Sequence, residues 1–271
     1  MLIPSAPGIA VAKNSIAALD YSLVSEGYVM ASYRGGEDRQ CQMRIECNKQ
    51  QQNLTILHDK PMKAFPLCYG DGRYSVMIIR QIEAGSSRAE ILLQRSIDVE
   101  LRDPFLPYLY PNTYTWYDED SQCVKIANEI CAGLETDFDK YKVIYHWICD
   151  NVYYDKELAQ QITTEGMSWW LPNPDKVVAE GKGICWGYSS LAAAMCRSQG
   201  IPCRMCVGHA GSSKHAWNDI WLEHGGIVNG IIYKSGDWTR SDITFMDSGG
   251  GSAAIVAYVS DDSKYTVEYY G

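Results

Sequence analysis

No stretch of this sequence holds the roughly 18 consecutive apolar residues that a membrane-crossing helix needs, so no helical membrane span is expected. The opening, MLIPSAPGIAVAKNS, lacks both a basic leading segment and a long apolar core. It is therefore not an intact secretory signal. A signal removed beforehand would place the protein outside the cytoplasm or on a cell surface; otherwise the expectation is cytoplasmic. Positive charge is scarce as well: 24 Lys and Arg stand against 33 Asp and Glu, a formal net charge of -9. The excess is local. Residues 1–115 hold 12 acidic and 12 basic groups, whereas 116–271 hold 21 acidic and 12 basic. An acidic second half argues against nucleic acid or anionic lipid as the main partner. No internal repeat and no low-complexity segment is visible, so a solenoid or array is not expected. Histidine is limited to five residues, which leaves few candidate bases.

What is present is a chain of 271 residues, enough to bury a core without disulfide staples. Its ten cysteines are therefore read individually. Cys123, Cys131 and Cys149 fall in helix-like stretches among apolar neighbours and read as small core residues.

The first part reads as strands. Residues 28–33, 42–46, 53–58, 74–82 and 89–101 are rich in β-branched and aromatic residues, partly with period two, and glycine-bearing turns separate them. Such a series predicts a small β-sandwich. A proline-bearing loop, DPFLPYLYPN, follows, and a boundary near 105–118 divides a β domain (1–110) from a second domain (111–271). Beyond it, helices are expected from Ser121 to about Leu134, over 138–152, and from Cys185 to about Ser198. Strands are expected at CRMCVGHA, HAWNDIWL, GIIYKS and DWTRSDITF. Helices followed by strands give an α+β domain.

Cys185 stands out among the cysteines. It follows Gly181-Lys182-Gly183, and the run after it, SSLAAAMCRS, is helix-forming until Gly200-Ile201-Pro202. A cysteine at a helix N-terminus meets unpaired N–H groups and the positive end of the dipole, which favour a thiolate. The same groups can hold an oxyanion. A thiol nucleophile needs a base. His215 opens HAWNDIWL, where it shares one strand face with Trp217, Asp219 and Trp221, away from the aliphatic side. A base of this kind is oriented by a third group. Asp242 is favoured over Asp219, which lies about 13 Å further along His215's own strand, and over Asp247 in a loop.

These residues carry a resemblance. Gly-x-Cys-x-x-Tyr, then His-Ala-Trp, then Trp-x-x-x-Asp-x-Thr-Phe resembles the transglutaminase-like superfamily in its bacterial branch, with the upstream helix KVIYHWICDNVYYD and the link Gly200-Ile201-Pro202-Cys203-Arg204. The likeness covers roughly 120–271. It implies a papain-like core, helices packed on an antiparallel sheet, preceded by the small β-sandwich. It also implies Cys185 as nucleophile, His215 as base and Asp242 as orienting residue. The implied activity is acyl transfer or hydrolysis at protein or peptide amides, without a cofactor. The partner would be a protein or peptide substrate, including one of a cell wall or surface. Two departures stand out: Trp186-Gly187 where many relatives have Phe-Asp, and Asp242-Ile243-Thr244 where many have Asp-Pro-Thr. Trp169, Trp170, Trp186 and Trp217 are candidates to line a cleft for a peptide.

Two rival readings accompany this one. Cys203, Cys206, His209 and His215 have zinc-like ligand types, but residues three apart on a strand point to opposite faces. No metal site is expected. The other rival is a catalytically silent binding or surface module, because a fold and its residues do not by themselves prove turnover.

Overall fold

The computed structural model describes residues 1–36, 38–165 and 170–271. The chain divides into two compact units. Ile3–Thr113 form one together with Gly271, and Tyr114–Tyr270 form the other together with Met1–Leu2.

The first unit is rich in strands: β1 (Val11–Lys13), β2 (Ala17–Asp20), β3 (Tyr28–Tyr33), β4 (Cys41–Cys47), β5 (Gln50–Ile56), β6 (Lys63–Pro66), β7 (Gly72–Gln81) and β8 (Ala89–Val99). They form two four-stranded sheets, ordered β1-β2-β3-β6 and β5-β4-β7-β8, with antiparallel pairing throughout. Burial alternates strictly in β4. Cys41, Met43, Ile45 and Cys47 are buried, while Gln42, Arg44 and Glu46 face outward. The β4–β5 hairpin turns on Asn48 and Lys49, both with left-handed φ (51° and 65°), as a two-residue type I′ turn requires.

The second unit begins with α1 (Gln122–Ile130), α2 (Asp137–Asn151), the short β9 (Tyr153–Tyr154), α3 (Lys156–Glu165), α4 (Pro174–Glu180) and β10 (Lys182–Gly183). Next come α5 (Cys185–Ser198), β11 (Cys203–Ala210), β12 (Ser213–Leu222), β13 (Gly226–Val228), β14 (Ile231–Tyr233) and β15 (Asp237–Ser241). It ends with α6 (Ile243–Ser248), α7 (Ala253–Val259) and β16 (Tyr265–Tyr270). The sheet β15-β12-β11-β16 is antiparallel.

Helix α5 is central. Every residue of it except Trp186 is buried, and it touches α1, α2, α4, α6, β11 and β12. Its run of Ala and Ser makes this possible, because small side chains let neighbours approach from all sides. At its far end buried Arg197 donates from Nε (2.9 Å) and Nη2 (2.8 Å) to the Cys203 carbonyl, tying α5 to the start of β11. Mixed α+β architecture with antiparallel sheets and a strand-rich N-terminal region agrees with the fold class expected from sequence.

Two differences bear on the site. DWTRSDITF is not one strand: β15 ends at Ser241 and α6 begins at Ile243. Asp242 is the reason. It leaves the extended region (φ -103°, ψ 80°), and its side chain caps α6 by accepting from the Phe245 N–H. Strand β16 and helices α3, α4 and α7, which periodicity did not mark, complete the unit.

Candidate active site

The approach to Cys185 is built by backbone. Asn173 caps α4 by accepting from the Lys176 N–H, with Pro174 preset in the first turn. Gly181 ends the helix with φ 62°, a left-handed value that glycine adopts without strain. β10 then pairs in parallel with β9, Gly183 opposite Tyr154. Asp155 closes this corner. Its carboxylate accepts from the Leu158 N–H at 3.0 Å and pairs with Lys182 at 3.0 Å. The Leu158 N–H is the main reason its carboxyl lies below the usual range, and Lys182 adds to it. Ile184 is the N-cap of α5, and Cys185 its first residue, only 9% exposed. The first N–H groups of a helix have no partner within it, so Cys185 sits among donors and at the positive end of α5.

His215 lies on β12 opposite Gly208 of β11 and is 4% exposed. Its Nε2 is 2.8 Å from Asp242 Oδ2, and the Cys185 side chain lies near enough to act on its pKa. Burial, the largest single influence, pulls its pKa down. The hydrogen bonds to Asp242 and Cys185, with the negative charge of both, outweigh burial and push it up to about 10. Phe245 stacks on the ring at 4.3 Å, and Trp217 lies near-parallel at 6.2 Å.

Asp242 is 1% exposed and fully engaged. Oδ1 accepts from the Phe245 N–H at 3.0 Å. Oδ2 receives both His215 Nε2 and the hydroxyl of Tyr265, each at 2.8 Å. Burial and the adjoining Asp242 carboxylate hold the Tyr265 pKa far above its ordinary value, so the hydroxyl keeps its proton and acts as donor. The rival acids are occupied elsewhere. Asp219 meets Cys206, Arg204 and Arg240, and Asp247 accepts from the Tyr188 hydroxyl at 3.0 Å.

The tryptophans separate. Trp186 is half-buried beside Cys185, its ring 5.6 Å from Tyr114, which in turn lies 6.0 Å from Tyr269. Trp170 is half-buried ahead of α4, and Trp169 lies outside the described residues. Trp217 departs from expectation. It is 1% exposed, so it backs His215 from within and cannot line an open cleft. Its strand face is covered by Tyr265, whose ring meets it edge-on at 4.9 Å. Sequence reasoning also missed Tyr154 and Tyr265. Tyr154 is 38% exposed and close enough to Cys185 that, after burial, the cysteine is what raises its pKa. Among the described residues no group of three or more His, Cys, Asp or Glu could hold a metal ion. His209 pairs with Glu268 and Cys206 with Asp219, so the zinc-like series is dispersed.

Comparison with known proteins bears on this arrangement. Residues 124–243 match the family model described as the Transglutaminase-like superfamily, a span that contains Cys185, His215 and Asp242. Kyphoscoliosis peptidase of Mus musculus and of Homo sapiens are each 26% identical over 136 residues, 45% of this chain and 20% of theirs. The matched stretch is thus about a fifth of the length of these curated relatives. A structure of a candidate cysteine protease from Cytophaga hutchinsonii is similar at 17% identity and TM-score 0.42, covering 97% of this chain and 86% of that one. Red sea bream transglutaminase is similar at 13% identity and TM-score 0.29, covering 83% of this chain and 49% of that one. Over residues 124–243 this chain is thus similar to the transglutaminase-like superfamily.

Proposed function

We propose that this protein is a cysteine-dependent enzyme that cleaves or exchanges amide bonds of protein or peptide substrates through a thioester, with Cys185 as nucleophile, His215 as acid and base, and Asp242 as the group that orients His215. The observation that carries this is the buried His215 ring, held at Nε2 by Asp242 at 2.8 Å and near enough to the Cys185 side chain at the start of α5 for Cys185 to raise its pKa.

The chemistry follows from the protonation of His215. An imidazolium beside Cys185 stabilises the thiolate. The thiolate attacks the amide carbon, and the N–H groups at the start of α5 donate to the oxygen that becomes negative. As the intermediate collapses, His215 passes its proton to the departing nitrogen, the C–N bond breaks and a thioester with Cys185 remains. Neutral His215 then takes a proton from the second nucleophile. Water releases a carboxylic acid, and an amine forms a new amide. On a glutamine side chain these outcomes are deamidation and crosslinking. The relatives named peptidases agree with the hydrolytic outcome. Trp186, half-buried and next in sequence to the nucleophile, is the side chain offered to the substrate.

The test is labelling by a thiol-directed electrophile, read by peptide mass spectrometry, followed by incubation of candidate proteins with an amine donor. Cys185→Ala is expected to abolish the fast labelling that Cys203→Ala leaves intact. Equal labelling of the two variants would remove Cys185 from this role.

A further inference from the structure

Asp242 accepts from Tyr265 through the same oxygen that faces His215, and Tyr265 belongs to the last strand of the chain. A deliberate local irregularity brings that strand in. β11 and β16 slip register between Val207 and Gly208. At this bulge Gly208 pairs with His215 on one side and Val267 on the other. A Cβ on Gly208 would lie 1.9 Å from the carbonyl oxygen of Thr266, the residue next to Tyr265. No side chain fits there, so only glycine lets β16 come this close. The ring of Tyr265 is then fixed on three sides, by Trp217 at 4.9 Å, Tyr258 at 6.0 Å and the Arg240 guanidinium at 4.1 Å.

We propose that Tyr265 is a positioning residue for the reaction: its hydroxyl fixes the plane of the Asp242 carboxylate, and through it the ring of His215, while Gly208 is the opening through which β16 delivers it. The proposal rests on the reading of Cys185, His215 and Asp242 given above. A buried carboxylate with an empty lone pair turns to find another donor. With Oδ1 on the Phe245 N–H and Oδ2 shared by His215 and Tyr265, every orientation but one loses a partner. His215 is thereby held with Nε2 on Asp242.

The experiment is a double-mutant cycle on the full chain, with iodoacetamide at pH 6 as probe and the Cys185 peptide quantified by mass spectrometry. Tyr265→Phe keeps the ring against Trp217 and under Arg240, so folding is expected to be retained. Labelling should slow about tenfold, the rate equivalent of one hydrogen bond to a charged group. The His215 Nε2–H proton resonance should move. Asp242→Asn should slow labelling further, and Asp242→Asn with Tyr265→Phe should be no slower than Asp242→Asn alone. If Tyr265→Phe labels as fast as the wild type, or the two losses multiply, the proposal is overturned. If wild-type Cys185 reacts no faster than Cys149, whose thiol burial pushes up to about 12, the nucleophile assignment itself falls and the proposal falls with it.

Discussion

Phe245 lies flat on His215, ring centroids 4.3 Å apart and planes 12° from parallel, while its own backbone N–H holds Asp242. One residue thus touches both partners, by its ring and by its backbone. An imidazolium against an aromatic face gains about 0.5–1 kcal/mol. Phe245→Leu keeps the backbone donor and removes that face. The His215 pKa is expected to fall by less than one unit, with stability reduced by about 1 kcal/mol. NMR titration of the imidazole checks the first figure, and chemical denaturation the second. An unchanged titration would mean that the stacking is packing alone.

Stability should depend on pH in a defined window. His215 is raised from its ordinary 6.5 to about 10 in the folded protein. A raised folded-state value contributes stability that is fully present below about 6.5 and is lost as pH climbs through about 10. Asp242→Asn still offers an oxygen to the Phe245 N–H but removes the charge that holds the imidazolium. The gap in melting temperature between wild type and Asp242→Asn should therefore be widest near pH 6 and close by pH 10. A gap that does not vary with pH would place the effect outside His215.

The sequence made part of this site legible, and physical reasons divide the legible part from the rest. Cys185 could be found because its signals are local: a glycine turn before it and a strong helix former after it. His215 could be found because alternation on a strand survives in sequence. The sequence pattern puts Asp242 on a strand, whereas the structure makes it the N-cap of α6. Ile243, Thr244 and Phe245 carry strand propensity, and capping by Asp242 overrides it. Trp217 looked like a cleft residue because alternation tells which face a side chain takes, not what covers that face. Tyr265 had no local signal. Its contact with Asp242 depends on a bulge at Gly208, a tertiary event between strands far apart in sequence.

Gly187, the second residue of the Trp186-Gly187 departure from the family pattern, has a packing reason. A Cβ there would stand 3.1 Å from Val177 Cγ2 across the α4–α5 contact, closer than carbon atoms normally pack. Gly187→Ala gains about 1 kcal/mol of helix propensity, against an overpacking cost of about 1–3 kcal/mol. The expected result is net destabilisation in the native background. With Val177→Ala the clash is removed, and the same substitution should become neutral or stabilising. Urea denaturation of the four proteins reads this coupling directly, and additive effects would refute it.

Trp186, the first residue of the same departure, is the one residue of α5 that is not buried, and it stands next to Cys185 without taking part in the His215–Asp242 hydrogen bond. It should therefore act on substrate binding and not on thiol reactivity. Trp186→Ala is expected to leave the rate of Cys185 alkylation by iodoacetamide within about twofold, because the reagent is too small to need a cleft wall. Toward a peptide substrate, once one is identified, KM should rise about tenfold with kcat little changed, the pattern of lost uniform binding. A buried aromatic contact of this size commonly carries that much. A fall in alkylation rate as large as the rise in KM would instead place Trp186 in the arrangement of Cys185 itself, through its packing on Tyr114.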